Sequence, residues 1–236
     1  MCGIIGISID SRIDINSSPQ FGEEFLHRFE NSISTLSHRG PDASGSEYFR
    51  NEGVFLGHTR LAIQDLSPAG AQPMFSQDRK LVITFNGEIY NFPTLKCELI
   101  RLGYVFFSNT DTEVIMNLYA EYGMDFLAML DGIFSLAIFD TIENNLIVAR
   151  DGLGIKPLYY YQDEDSFIFS SEIKAIESLL SNNRLTLDKK SLNRYLTFQW
   201  CPGEGTPFKE IKKHNPGEAL VIKNGKVVDC KVFFQL

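Results

Sequence analysis

The order of apolar segments predicts an α+β fold built from two mainly antiparallel sheets with helices on the outside. Three observations carry that prediction. Strand-like stretches outnumber helix-like ones, most connections between strands are too short for a parallel crossover, and Asn224-Gly225 is a strong hairpin signal between two strands near the end. No linker separates two domains, no repeat recurs, and no tract is of low complexity.

The elements follow from local pattern. Met1 to Ile9 is apolar and β-branched, and Phe25, Leu26, Phe29, Ile33 and Leu36 give residues 21–36 a helical spacing. Val54 to Ile63 and Leu81 to Phe85 read as strands. Pro93 opens a helix through Leu102, because proline is tolerated in a first turn, and Asp111 to Tyr122 is a second helix. Four strand candidates follow at Gly132–Phe139, Leu146–Arg150, Pro157–Tyr161 and Phe167–Ser170, joined by short polar turns. Helices are predicted at Glu172–Leu180 and Asp188–Phe198, and the last strands at Ala219–Ile222 and Lys226–Val232.

Composition narrows the class of partner. The 236 residues are 44% hydrophobic and 22% charged, enough apolar material for a sizeable core, and the net charge of -8 opposes a nucleic-acid or anionic-membrane partner. The expected ligand is small. No apolar run approaches the ~18 residues of a membrane span, and the N-terminus lacks a signal-peptide pattern, so a cytoplasmic location is expected. Cys2, Cys97, Cys201 and Cys230 are scattered, as are His27, His38, His58 and His214, which suggests neither a zinc site nor a disulfide framework.

Chemistry is concentrated in a few short motifs. If Met1 is removed, Cys2 carries both a thiol of pKa about 8.5 and an α-amine of pKa about 8, so one residue supplies a nucleophile and its own base. A retained Met1 would turn that amine into a neutral amide. In Gly57-His58-Thr59-Arg60-Leu61-Ala62-Ile63, strand alternation puts His58 and Arg60 on one face and Thr59, Leu61 and Ile63 on the other. Arg60 is either a surface residue of an edge strand or a planar fork for a substrate carboxylate.

Asn86-Gly87 after an apolar strand ordinarily marks a hairpin turn, yet Glu88 to Phe92 makes a poor partner strand before Pro93. The alternative is an oxyanion hole, formed by an amide side chain beside a sterically open glycine N–H. Thr110-Asp111-Thr112-Glu113 reads as a helix N-terminus with a capping box, which leaves Asp111 oxygens able to hold an ammonium. Gly152-Leu153-Gly154 lacks the third glycine of a dinucleotide fingerprint and reads as a turn between strands. Ser37 to Asp42 is a loop to which spacing assigns no chemistry.

Taken together, these segments resemble the class II glutamine amidotransferases. The resemblance rests on Met1-Cys2-Gly3-Ile4, His38-Arg39-Gly40-Pro41-Asp42, His58 to Ile63, Gln72-Pro73-Met74, Asn86 to Asn91 and Asp111-Thr112-Glu113. It continues in Arg150-Asp151, Lys156 to Tyr160, and Ser171-Glu172-Ile173-Lys174-Ala175. The chain is most similar to the glutaminase domain of glutamine-hydrolysing asparagine synthetases, over residue 2 to about residue 235.

That resemblance implies a four-layer αββα sandwich, the N-terminal nucleophile hydrolase fold, with residues 1–236 forming one glutaminase domain. It implies Cys2 as nucleophile with its α-amine as base, and Asn86 with the Gly87 N–H as oxyanion hole. Arg60 would bind the α-carboxylate of L-glutamine, and Asp111 with Glu88 its α-ammonium. The backbone near Ile63 would line the pocket, and Arg60 to about Gln72 would form a mobile glutamine loop. No cofactor is implied for this domain, since ATP and Mg would serve only a synthetase domain.

No Ser-Gly-Gly-x-Asp-Ser loop of such a synthetase domain occurs here, and an excised or naturally truncated glutaminase domain is expected. The implied partner is a C-terminal synthetase domain or subunit, and the resemblance is compatible with a homodimer. Two alternatives remain open: an amidotransferase domain serving a sugar or another carboxylate, and a catalytically silent binding domain.

Overall fold

The computed structural model describes residues 1–13, 22–180 and 185–235. Strand β1 (Gly3–Ile9) is buried along its whole length, because both of its faces are covered. Ile5, Ile7 and Ile9 pack outward with Phe25, Phe29 and Ile33 of helix α1 (Glu23–Ser34), while Ile4 joins the core between the sheets. Phe21, where the predicted first helix begins, lies outside the described residues.

The first sheet has the order β10 (Ile211–Lys213), β8 (Tyr159–Gln162), β9 (Ser166–Ser170), β1, β3 (Val54–Arg60), β2 (Ala43–Phe49). The second has the order β12 (Lys226–Val232), β11 (Glu218–Lys223), β7 (Asn145–Arg150), β6 (Gly132–Asp140), β5 (Leu81–Ile89), β4 (Met74–Phe75). Neighbouring strands are antiparallel throughout. Helices α1 and α4 (Ile173–Leu179) cover the first sheet, and α2 (Phe92–Arg101) and α3 (Asp111–Tyr122) cover the second. Helix α5 (Lys189–Phe198) follows, capped by the Asp188 carboxylate. Val54, Leu56, Val82, Ala137, Phe139, Leu146, Val148, Phe167 and Phe169 fill the space between the sheets. The four layers expected from the resemblance are present.

Several expectations are corrected. The strand predicted for Val54 to Ile63 ends at Arg60, where its partner β2 begins at Ala43, so Leu61 and Ile63 leave the sheet and the alternation stops. β3 lies between β1 and β2, which removes the edge-strand reading of Arg60. The four strands from Gly132 to Ser170 do form two antiparallel hairpins, but β6–β7 lies in one sheet and β8–β9 in the other. The Arg150–Lys156 turn makes that crossing. There the Asp151 carboxylate accepts the N–H groups of Leu153, Ile155 and Lys156, and Arg150 donates to the carbonyls of Gly154, Lys156 and His214. β2 escaped prediction because Ala43-Ser44-Gly45-Ser46-Glu47 is polar and small, as suits an edge strand.

The packing of the sheets brings the future site together. The His58 ring donates from Nε2 to the Phe85 carbonyl across the sheets at 3.2 Å. Gly3 pairs with Thr59, so the start of β1, the end of β3 and the second half of β5 share one end of the sandwich.

Candidate active site

A cavity of about 280 Å³ opens at that end, and its walls include Cys2, Arg60, Ile63, Asn86, Gly87, Glu88 and Asp111. The residues to which the resemblance gives a role are therefore in one place. A larger cavity of about 1010 Å³ between the β4 edge, the segment that follows α2 and helix α3 contains none of them.

Cys2 is held by its backbone while its thiol stays accessible. Arg39 donates from Nε to the Cys2 carbonyl at 2.9 Å and from Nη1 to Glu172 at 3.0 Å. Glu172 also receives His38 at 2.8 Å and Lys174 at 3.2 Å; burial raises its carboxyl, but the hydrogen bonds from Arg39, His38 and Lys174 outweigh that and hold it below the usual range. The Leu61 backbone meets the Cys2 sulfur twice: its N–H points at the sulfur from 3.4 Å, and its carbonyl accepts from the thiol at 3.8 Å.

The free edge of β5 supplies the second chemical feature. Strand alternation sends the N–H groups of Phe85, Gly87 and Ile89 away from β6. Phe85 N–H donates to the Gln72 side-chain oxygen at 2.6 Å, and Ile89 N–H to the Asp111 carboxylate at 3.0 Å. Between them the Gly87 N–H stands beyond the end of two-residue β4, which covers only Val82 and Ile83. It faces the cavity. Asn86, 1% exposed, turns its side chain toward the first sheet, and its Nδ2 has no partner among the described residues. Two residues with neutral donors, Asn86 and Gly87, thus line the same cavity as a thiol, and such donors beside a thiol suit the oxyanion that attack by that thiol would form.

Glycine at 87 is required by space. A Cβ there would lie 2.4 Å from the Ile133 carbonyl oxygen and 2.8 Å from Phe134 Cα. The Asn86-Gly87 turn is therefore overturned: both residues lie inside β5 and pair with Ser135 and Phe134.

Arg60, Glu88 and Asp111 line the cavity as well. Asp111 begins α3, with Thr110 as its cap accepting the Glu113 N–H at 3.3 Å. The reciprocal half of the predicted capping box is absent, since the Glu113 carboxylate instead bonds Phe107 N–H, Ser108 N–H and the Ser108 hydroxyl. Burial pushes the Asp111 carboxyl up to about 7; the Glu88 charge adds to that, and the Ile89 N–H opposes it. Arg60 donates from Nη1 to the Ser67 carbonyl at 2.9 Å and from Nη2 to the Asp65 carbonyl. The segment after Arg60 therefore folds back over the cavity.

Gln64, Gln72, Lys156 and Arg39 were assigned no role in the sequence. Gln64, Gln72 and Lys156 line the cavity and Arg39 supports it. The signal was present for three of them, inside His38-Arg39-Gly40, Gln72-Pro73-Met74 and Lys156-Pro157-Leu158. Gln64 follows a quoted motif and was covered only as part of the Arg60 to Gln72 loop. Among the described residues no cluster of His, Cys, Asp or Glu could hold a metal ion, and no helix is long and apolar enough to cross a membrane.

Comparison with known proteins places this geometry. A family model described as glutamine amidotransferase domain matches residues 1–234. The chain belongs to that family. The glutamine-hydrolysing asparagine synthetase 1 of Bacillus subtilis (strain 168) is 35% identical over 235 residues, covering 100% of this chain and 35% of that protein. Asparagine synthetase 1 of Arabidopsis thaliana is 45% identical over 142 residues, or 60% of this chain and 24% of its own length. This glutamine amidotransferase domain thus spans about a third or less of these relatives. Among solved structures, the glutamine phosphoribosylpyrophosphate amidotransferase of B. subtilis superposes with a TM-score of 0.67 at 22% identity, over 98% of this chain and 49% of that one. That likeness agrees with the N-terminal nucleophile hydrolase fold.

Proposed function

We propose that this domain hydrolyses L-glutamine to L-glutamate and ammonia through a glutamyl thioester on Cys2. The observation that carries the reading is that Asn86, whose Nδ2 has no partner among the described residues, and Gly87 line the cavity that holds the Cys2 thiol. Met1 is 57% exposed at this cavity, so its removal would leave the α-amine of Cys2 there.

That amine takes the thiol proton, and the thiolate attacks the side-chain carbonyl carbon of glutamine. Asn86 and Gly87 hold the resulting oxyanion. The C–N bond then breaks, and ammonia leaves with the proton returned by the α-ammonium of Cys2. Water, deprotonated by the same amine, attacks the thioester; glutamate departs and the thiol is restored. Arg60 pairs with the substrate α-carboxylate, Glu88 and Asp111 with its α-ammonium, and Ile63 contributes backbone to the wall.

The ammonia passes to a synthetase domain or subunit, and the asparagine synthetase relatives favour aspartate activation as the step it serves. ATP and Mg would act in that second domain, with no cofactor in this one. Activity on glutamine by a protein with Met1 removed, with a diazo-ketone glutamine analogue labelling Cys2 and sparing Cys97, Cys201 and Cys230, is the expected result. Label at another cysteine, or glutamate release at the wild-type rate by Cys2→Ala, overturns the mechanism.

A further inference from the structure

The groups proposed to bind the α-amino-acid end of the substrate are not idle in this structure. Gln64, in the segment that follows Arg60, bridges them: its Nε2 donates to Glu88 Oε1, and its Oε1 accepts the Asp111 N–H at 3.0 Å. The same segment occupies Arg60 through the Ser67 and Asp65 carbonyls. The segment is fastened to the α3 approach as well, since the Asp65 carboxylate accepts the Asn109 N–H at 3.0 Å, and within itself by the Ser67 N–H at 2.9 Å. The Ala62 N–H donates to Asp42 at 2.8 Å.

Resting on the glutaminase reading, we infer that Gln64 is an affinity-determining residue whose carboxamide competes with the substrate's α-ammonium for Glu88. In the unliganded domain the amide N–H stands where the ammonium would donate, and glutamine has to displace it. The exchange favours the substrate, because a bond from an ammonium to a carboxylate is charge-assisted and roughly twice as strong as one from a neutral amide. It still subtracts from affinity. A substrate contact at Glu88 Oε1 replaces one that the protein already had, and there only the difference appears in binding.

A ligand without an α-ammonium has nothing to seat on Glu88 and leaves the Gln64 bridge in place. Gln64 thereby acts on one part of the substrate, and this separates competition from a general loosening of the segment.

The test compares Gln64→Met, which keeps side-chain length without donor or acceptor, with the parent, both in a Cys2→Ala background that cannot turn over. Calorimetry measures binding of L-glutamine and of 4-carbamoylbutanoate, which keeps carboxylate and amide but lacks the α-amine. The expected result is glutamine bound about 3- to 10-fold tighter by the variant, 4-carbamoylbutanoate unchanged, and faster amide exchange at Asp111. Unchanged or weaker glutamine binding overturns the inference, as does equal tightening of both ligands. Parallel assays of the Cys2 protein keep the two readings apart: intact turnover with unchanged binding defeats the Gln64 inference alone, whereas absence of both binding and glutamate release defeats the glutaminase reading with it.

Discussion

Asn86-Gly87 and Asn224-Gly225 are one dipeptide in two settings. Asn224 and Gly225 have φ of 50° and 71°, the pattern of a tight hairpin turn, and the strands on either side, β11 and β12, pair with each other. Asn86 and Gly87 lie within β5, and the residues before and after them pair with the same neighbour, β6, from Leu81 opposite Asp140 to Ile89 opposite Gly132. The dipeptide permits a turn. Whether it makes one depends on where the flanking strands find their partners. At 225 glycine serves a left-handed backbone, whereas at 87 it serves the close approach of β6 and leaves an N–H uncovered.

The sharpest way to break this contrast is through the two asparagines. Asn86→Ala is expected to lower kcat by about 10²-fold or more with little change in KM, because a lost oxyanion donor acts on the transition state. Asn224→Ala should leave both constants alone and lower stability by about 1 kcal/mol, the cost of an alanine in a left-handed conformation. Steady-state kinetics beside urea titrations separate the two; a fall in kcat for the turn variant, or a pure KM effect at 86, ends the comparison.

The glycines give a smaller effect, read as stability. Gly87→Ala should cost about 2–3 kcal/mol, since its Cβ would meet backbone at 2.4 Å that only a shift of β6 can relieve. Gly225→Ala should cost about 1–2 kcal/mol, from the positive φ and a 2.8 Å approach to the Asp165 carbonyl. Only the first should also impair turnover. Equal costs with equal activities would mean that both are turn glycines in solution.

The third expectation concerns Asp111, whose carboxylate secures the β5 edge beside Gly87. Its carboxyl is raised to about 7, so the stability it contributes is fully present below the ordinary carboxylate range and is lost as pH rises through about 7. Asp111→Asn should remove that loss and be more stable than wild type at pH 8 by at least about 1 kcal/mol, and less so at pH 5. It should bind glutamine more weakly, because the α-ammonium loses an anionic partner. A stability difference that does not change between the two pH values would show that Asp111 is ionised throughout that range.

Much of the site was legible because its groups are chemically unusual where they stand. A cysteine behind the initiator, an arginine within a strand, an amide beside glycine and an acid at a helix start each announce a property of the side chain itself. Arg39, Gln64 and Gln72 lay in quoted motifs or in the expected loop but received no individual role, because an arginine or glutamine in a loop acquires meaning only from the carbonyl, carboxylate or N–H it reaches. Those partners, Cys2, Glu88 and Phe85, are distant in sequence from at least one of the residues they join.

The sequence by itself determined the periodicities of the helices, the hairpin at Asn224-Gly225 and the fold class, since these depend on neighbours within a few positions. Helix α3 was read to the residue from its cap and first turn. Tertiary structure alone decided that β7 and β8 belong to different sheets, that Asn86-Gly87 lies inside a strand, and that the Gly87 N–H faces the cavity. Each of these is settled by which strand lies alongside, and pairing across tens of residues is chosen by burial of both sheet faces, a free energy that no local segment contains.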